Sequence, residues 1–366
     1  MEPNPLKAQI ENSKREKLRR EKPLVYEKII KFAEREKTGG YTSRIDIGYR
    51  YTCNLHCKHC MASSFEKKPR SLDVAKMRDI SEQADALGLC QFNISGGEPL
   101  IQPDFDEALL ALQPEKFHIG ISTNGYFLTP ERAKHLKEIG LDKVMISFDS
   151  IDEKLHDENR ARPGSFQKAM SALRAAQEAG LDCVMQHCVS HQNCRTQNTV
   201  ELAKFAQENG FSLDLVLAKA LGEWEGKHEV LIDGKDAQFL RELNAQYPAA
   251  RRDVFPAYGM EKGCGAVNGC FHISQYGDVF PCVFMHISIG NVFDEPIKDI
   301  IDKGMSIKHF KNYTPVCLAG ENRHFINKYM SKFYGKPKPV DYREVFTAED
   351  FVSEEAAERY LKRDNS

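Results

Sequence analysis

The sequence predicts an α/β protein built on a parallel sheet, with a smaller α+β extension after it. Three observations carry this expectation. Strand-like runs recur at residues 44–49, 90–94, 118–122, 143–148, 183–189 and 212–217. Helical stretches at 71–87, 105–112, 130–139, 165–179 and 197–209 fall between them, several ending at the glycine that commonly stops a helix. Beyond about residue 255 the alternation gives way to a short hairpin pattern bearing cysteines. Strands alternating with helices imply βαβ units with right-handed crossovers. Periodicity alone leaves a doubly wound sheet and an incomplete barrel both open.

Taken in order, residues 24–36 place apolar side chains at 24, 25, 29, 30, 32 and 33, the spacing of an amphipathic helix packing on the main α/β unit. After Gly39 and Gly40 the six strand-and-helix units begin. Phe271 to Ser274, the turn Tyr276-Gly277-Asp278 and Val279 to Cys282 read as a β-hairpin. Residues 295–303 and 321–332 read as helices, with Cys317 between them. The expected organisation is an N-terminal helical segment (1–42), the main α/β unit (43–250), the cysteine-bearing extension (251–335) and a helical tail (336–366).

Composition narrows the function classes. A net charge of −2 and 41% hydrophobic residues describe an ordinary globular protein and argue against general nucleic-acid binding. No run approaches the ~20 apolar residues that cross a bilayer, and the charged start lacks the apolar core of a secretory signal, so a cytoplasmic location is expected. Residues 1–40 hold eleven Lys/Arg against seven Asp/Glu, and residues 341–366 hold eight acids against four bases. Both ends read as solvated helical faces. Eleven cysteines without a secretory signal point to reduced thiols and metal ligation.

Cys53, Cys57 and Cys60, in the run CNLHCKHC, offer three thiolates where an electron-carrying cluster normally takes four. One iron of a cubane cluster is then left open, and an open metal position binds a substrate or cofactor. Behind the next strand comes Ser95-Gly96-Gly97-Glu98-Pro99, whose glycines allow a sharp turn and close approach and whose Glu98 can accept from an ammonium group. Together the two motifs resemble the radical S-adenosylmethionine (radical SAM) superfamily.

That resemblance implies a partial (β/α)6 barrel with its cofactor at the C-terminal strand ends, where ligands also lie in α/β sheets generally. It implies a 4Fe-4S cluster on Cys53, Cys57 and Cys60, with the open iron chelating S-adenosylmethionine. Reductive cleavage then gives methionine and a 5′-deoxyadenosyl radical that takes hydrogen from an unactivated C–H. By the same resemblance His59 lies near the adenine, Gly97 and Glu98 face the methionine amine, and Ser122, Asn124, Ser147 and Asp149 at two strand ends supply further contacts. Arg160, with Arg162 close by, is matched to the cofactor carboxylate, which suits a guanidinium fork.

Cys264 and Cys282, with Gly277 five residues before Cys282, resemble the opening of a SPASM or twitch extension. Only Cys317 comes after them, so the resemblance implies a shortened extension with one auxiliary 4Fe-4S cluster. Cys270 is either its fourth ligand or a hairpin core residue. Cys183 and Cys188 lie five positions apart on a strand and face opposite sides. Buried structural residues are the favoured reading here and the catalytic residue stays unassigned, with Cys188, or His187 in the other phase, as candidates; Trp224 after the sixth strand either lines the site mouth or packs in the core.

The expected function is hydrogen abstraction from a small molecule such as a sugar, cofactor or natural-product precursor. The runner-up is maturation of a ribosomal peptide, weighed down because some 50 residues before the cysteine loop are too few for a leader-binding domain. A non-catalytic iron–sulfur protein explains the cysteines but not the SGGEP motif. A flavodoxin- or ferredoxin-type electron donor and a monomer or weak oligomer complete the expectation.

Overall fold

The computed structural model describes residues 5–36, 42–62, 65, 67–252 and 263–361. Two helices come first, α1 (Pro5–Glu21) and α2 (Pro23–Glu36). The apolar spacing of α2 places Val25, Ile29 and Phe32 in a small core with Cys90. The basic residues between them correct the expectation of a solvated face. Lys17 reaches Asp182 at 2.8 Å, Lys22 reaches Asp142 at 2.6 Å and the carbonyls of Phe117 and Gly140, and Lys28 reaches Asp85 at 2.6 Å. Asp142 and Asp182 stand where strands begin, so the helices staple the N-terminal ends of the strands together. A count of charges along the chain cannot see partners a hundred residues away.

The repeating units come next: β1 (Arg44–Arg50), α3 (Val74–Ala86), β2 (Gln91–Gly96), α4 (Phe105–Ala111), β3 (His118–Thr123), α5 (Pro130–Glu138), β4 (Lys143–Ser147), α6 (Glu153–Arg160), α7 (Ser165–Glu178), β5 (Asp182–Val189), α8 (Gln197–Glu208), β6 (Ser212–Leu217), α9 (Gly234–Gln246) and β7 (Ala250–Arg252). Side chains cap several helices, as their chemistry dictates: Asp73, Thr129 and Asp152 each accept a backbone N–H three residues on. Three elements depart from expectation. A helix not foreseen between β4 and α7, α6, runs to Arg160 and stops on left-handed Ala161 before α7 begins at Ser165. Helix α6 buries only His156 and Arg160, so it carries no apolar stripe to read. Helix α9 and the three-residue β7 extend the sheet beyond six strands.

The extension contributes β8 (Cys270–Ile273), β9 (Asp278–Phe280), β10 (Ile287–Ser288), β11 (Gly290–Asn291), α10 (Ile297–Met305), α11 (Lys308–Lys311), α12 (Arg323–Lys328), β12 (Val340–Asp341), α13 (Tyr342–Val345) and α14 (Glu354–Leu361). The expected helix at 321–332 is α12 with a 3-10 turn at Met330–Phe333 behind it. The hairpin is not a separate sheet. β8 pairs in parallel with β1, giving one ten-stranded sheet in the order β11-β9-β8-β1-β2-β3-β4-β5-β6-β7, antiparallel only at β8–β9–β11.

Strand phase sorts the two faces. Ile45, Ile47, Phe92, Ile94, Ile119, Ile121, Val144, Ile146, Leu213 and Leu215 are buried in the continuous core under the helices. The alternate positions, Arg44, Asp46, Gly48, Asn93, Gly120, Ser122, Lys143, Ser147, Gln186 and Asp214, line the inner face and are polar or small. Lys143 on β4 lies within electrostatic reach of Arg44 on β1 and Arg251 on β7, each three strands away, so the sheet curls into a partial barrel. Among the described residues no helix is long and apolar enough to cross a membrane.

Candidate active site

The three-cysteine loop leaves β1 at the C-terminal edge of the sheet, where the next strand grips it. Gly97 N–H donates to Arg50 O at 2.7 Å and Glu98 N–H to Thr52 O at 3.0 Å. A Cβ at Gly97 would stand 2.3 Å from the Thr52 carbonyl oxygen, so only glycine allows this approach. From the opposite side the loop after β6 closes down. Glu223 N–H donates to Cys60 O at 2.9 Å, and a Cβ at Gly222, whose φ is +57°, would lie 2.1 Å from that oxygen. Trp224 brings its ring to 5.7 Å from that of His59. Burial pushes His59 down to about 4, so its imidazole is neutral at pH 7.

Donors converge on the sulfurs. Leu55 N–H approaches Cys53 Sγ at 3.4 Å, and Asn124 Nδ2 reaches Cys53 Sγ at 3.9 Å and Asn54 Oδ1 at 2.8 Å. Arg160 Nη1 lies 3.8 Å from Cys57 Sγ while its Nε pairs with Asp149 Oδ2 at 2.8 Å. Burial pushes the Cys53 and Cys60 thiols up, which disfavours bare thiolates there. A loop of three such thiols ringed by N–H donors fits a metal-bound set, since ligation deprotonates a thiol outright and the donors tune it.

The two arginines separate cleanly. Arg160 is buried among Asp149, Cys57 and Cys188. Arg162 instead clamps the loop backbone, donating to Asn54 O at 3.0 Å and to Tyr126 Oη at 3.2 Å and stacking over the Tyr126 ring. Burial alone would raise the Asp149 carboxyl, but Arg160, with His59 and His187, holds it well below the usual carboxylate range.

Two further candidate residues have defined surroundings. The Glu98 carboxylate is fully buried and engaged inside the protein: Oε1 accepts from Thr123 Oγ1 at 2.7 Å and Leu100 N–H at 3.1 Å, and Oε2 from Asn124 N–H at 2.7 Å. It braces β2 against β3, and Gly97 keeps partial exposure beside it. His187 points to the helix layer, 1% exposed, with Nε2 3.4 Å from Thr199 Oγ1 of α8 and Nδ1 3.8 Å from Asp149. It backs Asp149 and is out of reach of a substrate. Cys188 has the opposite phase and stands half-buried on the inner face with Gln186, Ser147 and Ser122.

The second cysteine set assembles at the seam between the two ends of the sheet. Cys264 exchanges backbone hydrogen bonds with Thr314, just before Cys317. Cys317 N–H donates to Glu321 at 2.9 Å, and Glu321 also pairs with Arg252 of β7. Cys270 opens β8 beside Arg44. Burial, reinforced by nearby Cys270 and Cys317, pushes the Cys282 thiol far up, which places those three in one electrostatic neighbourhood. Three thiols from three segments share one neighbourhood, and Cys264 is held by its backbone at Thr314, three residues before Cys317, a donor set whose chemistry also fits a cluster. Sequence reasoning missed Asn54, Tyr126 and Gly222, which meet Arg162 or Cys60 across long stretches of chain. The SGGEP strand end was the only signal of that kind the sequence offered.

This is the plan of a barrel enzyme with a three-thiol loop at its mouth and a second thiol set at its side. Residues 50–203 match the Radical SAM superfamily, and residues 264–320 match SPASM, an iron–sulfur cluster-binding domain. The chain belongs to the radical SAM superfamily and carries a separate auxiliary iron–sulfur domain. It is 26% identical over 275 residues to an AdoMet-dependent heme synthase of Methanosarcina barkeri, covering 68% of this chain and 78% of that protein. It is 33% identical over 250 residues to the mycofactocin maturase MftC of Mycolicibacterium smegmatis, covering 64% of this chain and 62% of that one. Among solved structures it resembles Streptococcus suis SuiB bound to precursor peptide SuiA, with a TM-score of 0.58 and 19% identity over 75% of this chain and 69% of that one. It also resembles anSMEcpe with bound AdoMet, with a TM-score of 0.56 and 22% identity over 71% of this chain and 80% of that one. Radical SAM catalysis with an auxiliary iron–sulfur centre is the consequence of this architecture.

Proposed function

We propose that the chain removes a hydrogen atom from a small polar molecule held inside the barrel, and that the net reaction is completed beside the auxiliary centre. The observation that supports this reading most is the inner face. At its ligand end it presents Ser122, Ser147, Gln186 and Cys188, half-buried side chains able to hydrogen-bond a neutral ligand. When bound, the cluster and S-adenosylmethionine supply hydrogen-atom abstraction from an unactivated C–H, chemistry that a protein delegates to cofactors.

The residues of this chain bind and position. Cys53, Cys57 and Cys60 hold the first cluster, and Cys264, Cys270, Cys282 and Cys317 the second. Asn124 and Arg160 donate toward the Cys53 and Cys57 sulfurs, and Arg162 fixes the loop at Asn54. Glu98 holds the β2 and β3 ends in register so that the Gly97 backbone and Asn124 face the cofactor together. His59 and Trp224 form an aromatic edge for its adenine. Ser147 and Asp149 close the β4 side, and Cys188 is the inner-face thiol nearest Arg160's charge. A flavodoxin- or ferredoxin-type protein supplies the electron.

A second reading, maturation of a ribosomal peptide, draws on the 33% identity to a protein named as a maturase. One experiment separates the two. Anaerobically reconstituted protein with dithionite is expected to release 5′-deoxyadenosine and methionine, and a metabolite fraction from the host should stimulate that release. Stimulation that survives protease treatment of the fraction supports the small molecule. Stimulation destroyed by protease supports the peptide, and absence of any cleavage overturns both.

A further inference from the structure

The turn that closes over the three-cysteine loop is itself held by the extension. Gly222–Trp224 forms a single 3-10 turn after β6, with Glu223 N–H on Cys60 O and the Trp224 ring beside His59. Glu225 follows at once, closing the turn with its own N–H on Gly222 O at 2.9 Å, and gives its carboxylate to the extension. Oε2 lies 2.5 Å from Lys338 Nζ, and Oε1 accepts from Gly335 N–H at 2.6 Å. Lys338 is buried, and its backbone bridges to Phe65, on the chain that leaves Cys60. One lysine thus joins both segments that meet at Cys60. Further along the same loop Arg323 donates to His228 O at 3.2 Å and to Leu231 O at 3.0 Å. Those contacts hold the far half of the loop, and the Glu225 pair holds the turn.

An ammonium and a carboxylate shielded from water attract strongly, and removing one leaves the other charge unpaired. The Glu225 side chain is 20% exposed against 3% for Lys338, so Glu225 is the partner that can turn out to water when the pair is broken. Glu223 and Trp224 precede it directly and move with it. We infer that Lys338 is a positioning residue for the cofactor. Through Glu225 it seats the turn against Cys60 and His59, so that the extension sets how tightly the barrel mouth holds S-adenosylmethionine. The inference rests on the proposed placement of a cluster on Cys53, Cys57 and Cys60 and of the adenine beside His59.

The test has two arms, both on full-length protein. In iron-free protein, hydrogen–deuterium exchange of peptides covering residues 222–225 should quicken about fivefold in Lys338→Met and stay as wild type over β3. In reconstituted protein, S-adenosylmethionine is titrated against the EPR signal of the reduced first cluster. Binding should weaken about fivefold in Lys338→Met with iron content unchanged, and stay within about twofold in Lys338→Arg, which keeps the charge. Glu225→Gln should weaken binding in the same direction, and the double variant Lys338→Met with Glu225→Gln should bind no more weakly than Lys338→Met alone, because both changes break one pair. If Lys338→Met does not fold, Glu225→Gln is read against wild type in both arms.

Wild-type affinity in the neutral variants overturns the role of Lys338, and so does an equal loss in Lys338→Arg or an additive loss in the double variant. Weaker binding with unchanged exchange at 222–225 overturns the route through the turn. A wild-type first cluster whose signal does not respond to S-adenosylmethionine would overturn instead the placement on which the inference rests.

Discussion

The two cysteine sets solve the same problem in opposite ways. Cys53, Cys57 and Cys60 lie on one short loop, and the barrel supplies everything around them from other strands: Gly97 and Asn124, Arg160 and Arg162, Gly222 and Trp224. Cys264, Cys270, Cys282 and Cys317 come from four segments and meet only because the hairpin joins β1 and Glu321 ties Cys317 to β7. The first set is local in sequence and depends on distant donors. The second is distant in sequence and depends on the fold closing at all.

The largest effect expected from breaking the first surroundings comes from Arg160→Met. Removing the guanidinium leaves the Asp149 carboxylate buried without its partner, and breaking such a pair costs about 3–5 kcal/mol. The pH sign is set by Asp149, whose folded pKa is held below its unfolded value of about 3.9. The pair therefore stabilises fully above that value, and the advantage closes as pH falls below it. Urea unfolding of iron-free wild type and variant at neutral pH and near pH 3 checks both points: the gap should be wide at neutral pH and narrower in acid. An unchanged gap would place the cost elsewhere.

A smaller effect sharpens the comparison from outside both sets. Lys22→Met removes the ammonium shared by Asp142, Phe117 O and Gly140 O at the strand starts. Asp142 keeps the Ile119 N–H at 2.8 Å, so the loss should be about 1–3 kcal/mol. Iron content after reconstitution should stay at the wild-type value, because the partners of Lys22 lie at the starts of β3 and β4, away from both cysteine sets. Loss of iron from Lys22→Met would show that the staple supports a site directly.

The legible part of this protein was whatever chemistry concentrates locally. The six strands from β1 to β6 were readable because their outer faces repeat apolar residues and their helices end on glycine. The 53–60 loop was readable because three cysteines in eight residues have few other uses. The bracing role of Glu98 was not legible, because Thr123 and Asn124 meet its carboxylate only after β2 and β3 pair. The choice between Cys188 and His187 stayed open in sequence because phase within β5 decides between barrel and helix layer, and only the neighbouring strands fix that phase. The hairpin was found, but not its pairing with β1, since a four-residue strand carries no sign of its partner.

The central claim is that two iron–sulfur centres divide the labour, one starting the reaction and one at the seam. It is tested most directly by iron content and S-adenosylmethionine cleavage in two variants reconstituted side by side. Changing Cys53, Cys57 and Cys60 to Ala should remove about half the iron and all cleavage. Changing Cys264 and Cys282 to Ala should remove the other half and leave measurable cleavage. Unchanged iron in the second variant, or surviving cleavage in the first, would contradict the account.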